Sequence, residues 1–174
     1  LGEYNHSGGT PRKFRRDAAA ALAELVYRMD EEWCRLETMG HVLVCTFCTM
    51  ATTADAGFTK IAGETTFQLD IRSVSPHACD LMFEAMSRFM EEIAARRGVT
   101  FTCGPETGSR ASPMDEGIRA GLLRAAETLG IPHRVMASGG GHDASAFAEA
   151  KIPAGMLFVR NQNGSHNPYE AMRM

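Results

Sequence analysis

His166 lies within Asn163-Gly164-Ser165-His166-Asn167-Pro168-Tyr169-Glu170, just past a run that reads as a strand. Loops at the ends of α/β strands are where such folds place active sites. A neutral imidazole there can bind zinc, with a neighbouring group fixing its tautomer; an ordinary loop histidine is the competing reading. His142 follows Gly139, Gly140 and Gly141 and precedes Asp143. Glycines let backbone approach a ligand closely, and the start of a short helix offers N–H groups to an anion; a capped turn would account for the same residues. Arg72 projects from the polar side of an alternating run, beside Asp70. A planar guanidinium can hold a carboxylate by two hydrogen bonds, although a local ion pair is the simpler reading. His6 sits in a Ser/Gly-rich turn before a helix, where a histidine alone is ordinarily just solvated. Cys45 and Cys48 have redox-motif spacing, but residues three apart on a strand point to opposite faces, which argues against a shared metal or disulfide.

These side chains need elements to hold them. Thr10-Pro11 is a helix-start signal, and Leu22, Leu25, Val26, Met29 and Trp33 recur at helical spacing, predicting a helix to about Glu37, before Gly40. Ser75-Pro76 opens a second helix, with Met82, Met86, Phe89 and Ile93 on one side and Gly98 at its end. The methionine-rich stripe reads as core rather than as a cofactor site. Between the helices, residues 41–50 are rich in β-formers, and residues 65–73 alternate, with Phe67, Leu69 and Ile71 on one face and Gln68, Asp70 and Arg72 on the other. Val99, Phe101 and Cys103 alternate again. With a first strand around residues 1–6, the order is β-α-β-β-α-β, a ferredoxin-like split βαβ pattern over residues 1 to about 106. Residues 105–113 form a polar linker. Ser112-Pro113 then opens a third helix. Strands near residues 134–136 and 154–159 and a short helix from about Asp143 complete a partial α/β segment, residues 107–174. The fold class is therefore α/β with an α+β first domain.

The 174 residues are 44% hydrophobic, enough for a sizeable core, and the net charge of -3 argues against nucleic acid as a main partner. The basic run Arg12-Lys13-Phe14-Arg15-Arg16 reads as the solvated start of a helix. Five cysteines without framework spacing fit reduced thiols in a cytoplasmic protein. No apolar run is long enough to span a membrane. Leu1 and the residues around Met174 read as cut ends, the first in mid-strand and the last at the start of a helix.

Four motifs in order carry a resemblance: Asn5-His6-Ser7-Gly8-Gly9-Thr10-Pro11 with Arg16-Asp17-Ala18; Phe67-Gln68-Leu69-Asp70-Ile71-Arg72-Ser73; Ser138-Gly139-Gly140-Gly141-His142-Asp143-Ala144; and Gly164-Ser165-His166-Asn167-Pro168-Tyr169-Glu170. Together they resemble the hydantoinase/carbamoylase amidohydrolases, a family that includes N-carbamoyl-L-amino-acid hydrolases, allantoate amidohydrolases and β-ureidopropionases and is related to metallopeptidases. The resemblance covers essentially the whole chain.

It implies hydrolysis of a ureido, carbamoyl or amidino C–N bond, with two divalent metal ions (zinc, manganese, nickel or cobalt) and a glutamate as proton carrier. It implies a lid domain that joins two copies into a homodimer, and a small substrate bearing a carboxylate. His166 corresponds to a metal ligand, Arg72 to the arginine that holds the substrate carboxylate, and Gly141 and His142 to substrate-contacting positions. His6 matches a lid histidine that stabilises the tetrahedral intermediate in the partner's site. Where the family carries an asparagine on the carboxylate, thirteen residues before the arginine, this sequence has Thr59. The family's other ligands and its glutamate precede the lid, outside this sequence, so the 174-residue chain alone is expected to be inactive. The competing reading is a free-standing ferredoxin-like dimerisation or binding module without catalysis.

Overall fold

A computed structural model of the chain describes residues 1–108 and 111–172. The chain divides into two compact units, Leu1–Ala111 and Ser112–Met174. The expected linker at residues 105–113 includes two residues, 109 and 110, outside those described, and the helix start expected at residues 171–174 runs out of them as well. Ala171 instead pairs with Gln162 in an isolated antiparallel bridge.

In the first unit the order is β1 (Asn5–His6), a 3-10 turn (Arg12–Phe14), α1 (Ala18–Thr38), β2 (Leu43–Thr52), β3 (Lys60–Ile61), β4 (Thr65–Ser73) and α2 (Pro76–Arg97). β2 and β4 form an antiparallel pair, with Val44 opposite Arg72 and Phe47 opposite Leu69. The alternation expected for β4 is present: Phe67, Leu69 and Ile71 pack against the core, whose fully buried members include Leu25, Met29 and Leu36 of α1 and Met82 and Ile93 of α2. Both helices thus cover one face of the hairpin, and the other face is left to carry Arg72 and Gln68. A register shift between Phe47 and Thr49 leaves Cys48 as the extra residue of a bulge. Cys48 is exposed while Cys45 is buried, and burial pushes the Cys45 thiol up to about 11. The two thiols do not pair.

The expected order β-α-β-β-α is present, but among the described residues the strands make two separate two-stranded pairings rather than one four-stranded sheet. Among the described residues, β1 pairs with the short β3, and residues 99–103 make no ladder. Val99 and Phe101 do face the core, but Thr100 exchanges its two backbone hydrogen bonds with Leu1 alone, at 2.6 and 2.7 Å. One such exchange pins the segment without extending a sheet.

The start of α1 also differs. Thr10-Pro11 opens only the 3-10 turn, because Arg15 is extended (φ -78°, ψ 130°). The helix begins seven residues further on than expected from Pro11, where the Asp17 carboxylate accepts from the Ala20 N–H at 3.0 Å. α2 begins after Ser75 and ends at Gly98 in the left-handed region (φ 65°), as its sequence signals imply.

The second unit contains α3 (Glu116–Thr128) and the seven-residue α4 (Asp143–Glu149). Asp115, not Ser112, caps α3, accepting from the Ile118 N–H at 2.8 Å. Neither expected strand, 134–136 or 154–159, forms a ladder. β-formers become a strand only when a second run satisfies their N–H and C=O groups. Val135, Leu157, Phe158 and Val159 are accordingly half or more exposed. No described residue of this unit is buried.

Candidate functional site

The site residues fall into two groups, one in each unit. In the first unit, β1 places His6 opposite Lys60, and the Ser7 N–H donates to the Thr59 carbonyl at 2.7 Å, so His6 and Thr59 are brought together. The His6 ring is exposed, and its Nδ1 accepts from two backbone groups, the Gly8 N–H at 3.1 Å and the Gly9 N–H at 3.0 Å. A nitrogen accepting two hydrogen bonds carries no proton, so neutral His6 keeps its proton on Nε2. That N–H is left as the ring's donor.

Thr59 has φ 70°. A β-branched residue is strained in the left-handed region, whereas asparagine tolerates it. We therefore expect Thr59→Asn to stabilise the first unit by roughly 1 kcal/mol, read as a rise in the urea midpoint with an unchanged slope. A lower midpoint would show that the Thr59 hydroxyl makes up for the strain.

Arg72 is engaged locally, as the simpler sequence reading has it. Its Nε donates to both Asp70 oxygens at 2.9 and 2.8 Å, and Nη2 lies 2.7 Å from Oδ2. Hydrogen bonding to Asp70 raises the Arg72 pKa, so the guanidinium stays charged. Asp70 thus fixes the plane of the fork on the polar face of β4.

In the second unit the glycine-rich turn folds on Ser138. Its Oγ lies 2.6 Å from His142 Nε2 and accepts from the Gly140 N–H at 3.1 Å. The His142 ring meets Phe158 edge-on, with centroids 6.1 Å apart. His142 occupies the N-cap position of α4 without capping it by its side chain, and Gly141 is exposed beside it. With only seven residues, α4 has too little dipole to make an anion site of its own.

His166 has φ 59° in a loop held by amide side chains. The Glu170 carboxylate accepts from the His166 N–H at 3.1 Å and from Asn161 Nδ2 at 3.2 Å, and Asn163 Nδ2 donates to the Tyr169 carbonyl at 2.8 Å. These bonds fix the backbone and leave the exposed imidazole presented. Among the described residues, no group of three or more His, Cys, Asp or Glu could hold a metal ion. The described residues therefore do not by themselves make up a complete binuclear site.

Sequence reasoning left three contributors without a role: Ser138, Asn161 and Glu170. A hydroxyl four residues before a histidine across glycines was the available signal for the first. The other two act through contacts that loop geometry alone creates.

Residues 15–174 match the model of peptidase family M20/M25/M40. The chain is 31% identical over 170 residues to an allantoate amidohydrolase of Escherichia coli strain K12, covering 97% of this chain and 40% of that protein. It is 32% identical over 176 residues to an N-carbamoyl-L-amino acid amidohydrolase of Geobacillus stearothermophilus, with the same coverage. Among solved structures, an amidase of the hydantoinase/carbamoylase family from Burkholderia multivorans matches with a TM-score of 0.86 at 27% identity, over 99% of this chain and 41% of that one. The chain spans about 40% of the length of the curated relatives it matches.

Proposed function

This chain belongs to peptidase family M20/M25/M40, and from that premise we propose that it is part of a metal-dependent hydrolase of linear amide or ureido C–N bonds, acting on N-carbamoyl-L-amino acids or related ureido acids. The observation that carries the reading is the His6 turn. Two backbone N–H groups hold Nδ1 as an acceptor, so Nε2–H is the donor. When a ureido or amide carbon is attacked, negative charge gathers on its oxygen, and a donor already oriented stabilises that charge without reorganising. Arg72 grips the substrate carboxylate by its planar fork. His142 and Gly141 contact the substrate, with Ser138 steadying the imidazole. The resemblance adds a homodimer joined through the first unit, with His6 serving the partner's site.

A binding module without catalysis has no use for a histidine held in one tautomer or for the built loops around His142 and His166, which is why the hydrolase reading is preferred. Allantoate is the second substrate class, since several relatives are named for it.

The test compares the 174-residue chain with the whole protein that carries it. Each is supplied with zinc, manganese, nickel or cobalt and offered N-carbamoyl amino acids and allantoate, and amino-acid or ammonia release is followed. Turnover by the whole protein and none by the chain alone is expected. A whole protein inactive on both substrate classes would overturn the reading, and metal-dependent turnover by the chain alone would refute the expectation that the chain alone is inactive.

A further inference from the structure

One member of the basic run Arg12-Lys13-Phe14-Arg15-Arg16 is not solvated as the sequence implies. Arg15 is half-buried, and its guanidinium turns back into the His6 turn. Its Nε donates to the Thr10 carbonyl at 2.9 Å, and its Nη2 donates to the Ser7 carbonyl. Those carbonyls stand on either side of the two glycines whose N–H groups meet His6 Nδ1. The turn has further ties: the His6 carbonyl accepts from the Gly9 N–H at 3.2 Å and the Thr10 N–H at 3.1 Å. The ring lies close on bare backbone, since a Cβ on residue 8 would stand 3.2 Å from His6 Cε1.

Glycines have more backbone freedom to lose than any other residue, so a Gly-Gly turn needs outside constraint to hold one shape. Arg15 supplies it. Its fork is rigid and bridges two acceptors at fixed separation, which no other side chain does with equal economy of torsions. Its own extended backbone, which ends the 3-10 turn, is what lets the side chain reach back.

We infer that Arg15 is a positioning residue for His6: by tying the Ser7 and Thr10 carbonyls it keeps two N–H groups converged on Nδ1, and so keeps the Nε2–H donor in a single tautomer and direction. The catalytic consequence rests on the role of His6 proposed above; the geometric claim does not.

The experiment has two arms. In the first, the 174-residue chain with 15N-labelled histidine is observed by long-range 1H–15N correlation, with the His6 ring assigned from its loss in His6→Ala. The wild type is expected to show one neutral tautomer, with Nδ1 as bare acceptor and Nε2 protonated. In Arg15→Gln the two nitrogen shifts should move toward each other as the tautomers mix, and in Arg15→Lys they should move part of the way. If Arg15→Gln does not fold, Arg15→Lys carries the test. Unchanged His6 shifts in a folded Arg15 variant would overturn the inference. In the second arm, Arg15→Gln in the whole protein should lower kcat on the order of tenfold, a fraction of what losing an oxyanion donor costs, with KM nearly constant. The same change on a His6→Ala background should cost nothing further. Shifts that move while kcat stays constant would support the geometric claim and sink the proposed role of His6.

Discussion

In the whole protein, His6→Ala is expected to lower kcat by about 10²–10³-fold, the cost of removing one oxyanion donor, while KM and stability change little. The ring is exposed and fills no cavity, so truncating it does not disturb the packing of the first unit. It surrenders only two hydrogen bonds, from the Gly8 and Gly9 N–H groups to Nδ1, and both donors can turn to water. A loss of net stability no larger than about 1 kcal/mol follows. On the role proposed for His6, what disappears is a donor whose direction was set before the reaction began. A donor that meets charge only as the charge develops lowers the barrier and leaves ground-state binding alone, which places the effect in kcat rather than KM. The check is steady-state kinetics on an N-carbamoyl amino acid, with thermal unfolding as the control. A kcat unchanged in a folded variant would remove His6 from the chemistry.

Arg72→Lys should raise KM for carboxylate-bearing substrates by roughly 10–100-fold, corresponding to about 1–3 kcal/mol for a charge-assisted hydrogen bond. Lysine preserves the charge but has neither the planar fork nor the five donors, so it cannot keep Asp70 on one edge and a carboxylate in register. Folding should be nearly indifferent. The Arg72 side chain is 49% exposed, and the apolar residues of β4 that build the core, Phe67, Leu69 and Ile71, face the other way. The Asp70–Arg72 pair is itself partly in water, where such pairs contribute little to stability. Neutral amide analogues of the substrate should lose far less. If the pair with Asp70 were the whole purpose of Arg72, the effect would be small and the same for every substrate, and equal kinetics for wild type and Arg72→Lys would show it.

Features that depend on a few neighbouring residues could be read directly from the chain. The bounds of α2 follow from Ser75-Pro76 at one end and Gly98 at the other, because a proline fixes φ and a glycine accepts the left-handed region wherever they stand. The inward set of β4 follows from strict alternation, because successive side chains of a strand point oppositely. The separation of Cys45 from Cys48 follows from the same parity, with a bulge added. The order and spacing of four motifs identified the family resemblance, with His6, Arg72, His142 and His166 already inside them.

Other features depended on partners distant in the chain or on the path of the backbone between them. α1 starts at Ala18 rather than Pro11 because the extended backbone at Arg15 ends the first turn, and the contacts of Arg15 with the Ser7 and Thr10 carbonyls are invisible to spacing rules. The strands expected at residues 134–136 and 154–159 have the right residue types but no ladder, since β-structure is a property of pairs of segments. Thr59 lies beside His6 through the β1–β3 pairing, across more than fifty residues of chain. The tautomer of His6 is the clearest case. Residue type supplies an imidazole with two tautomers, and it is the fold of Ser7, Gly8, Gly9 and Thr10 around Nδ1 that holds one of them. Hydrogen-bond geometry is set by the backbone in three dimensions, so that choice is made only when the turn closes.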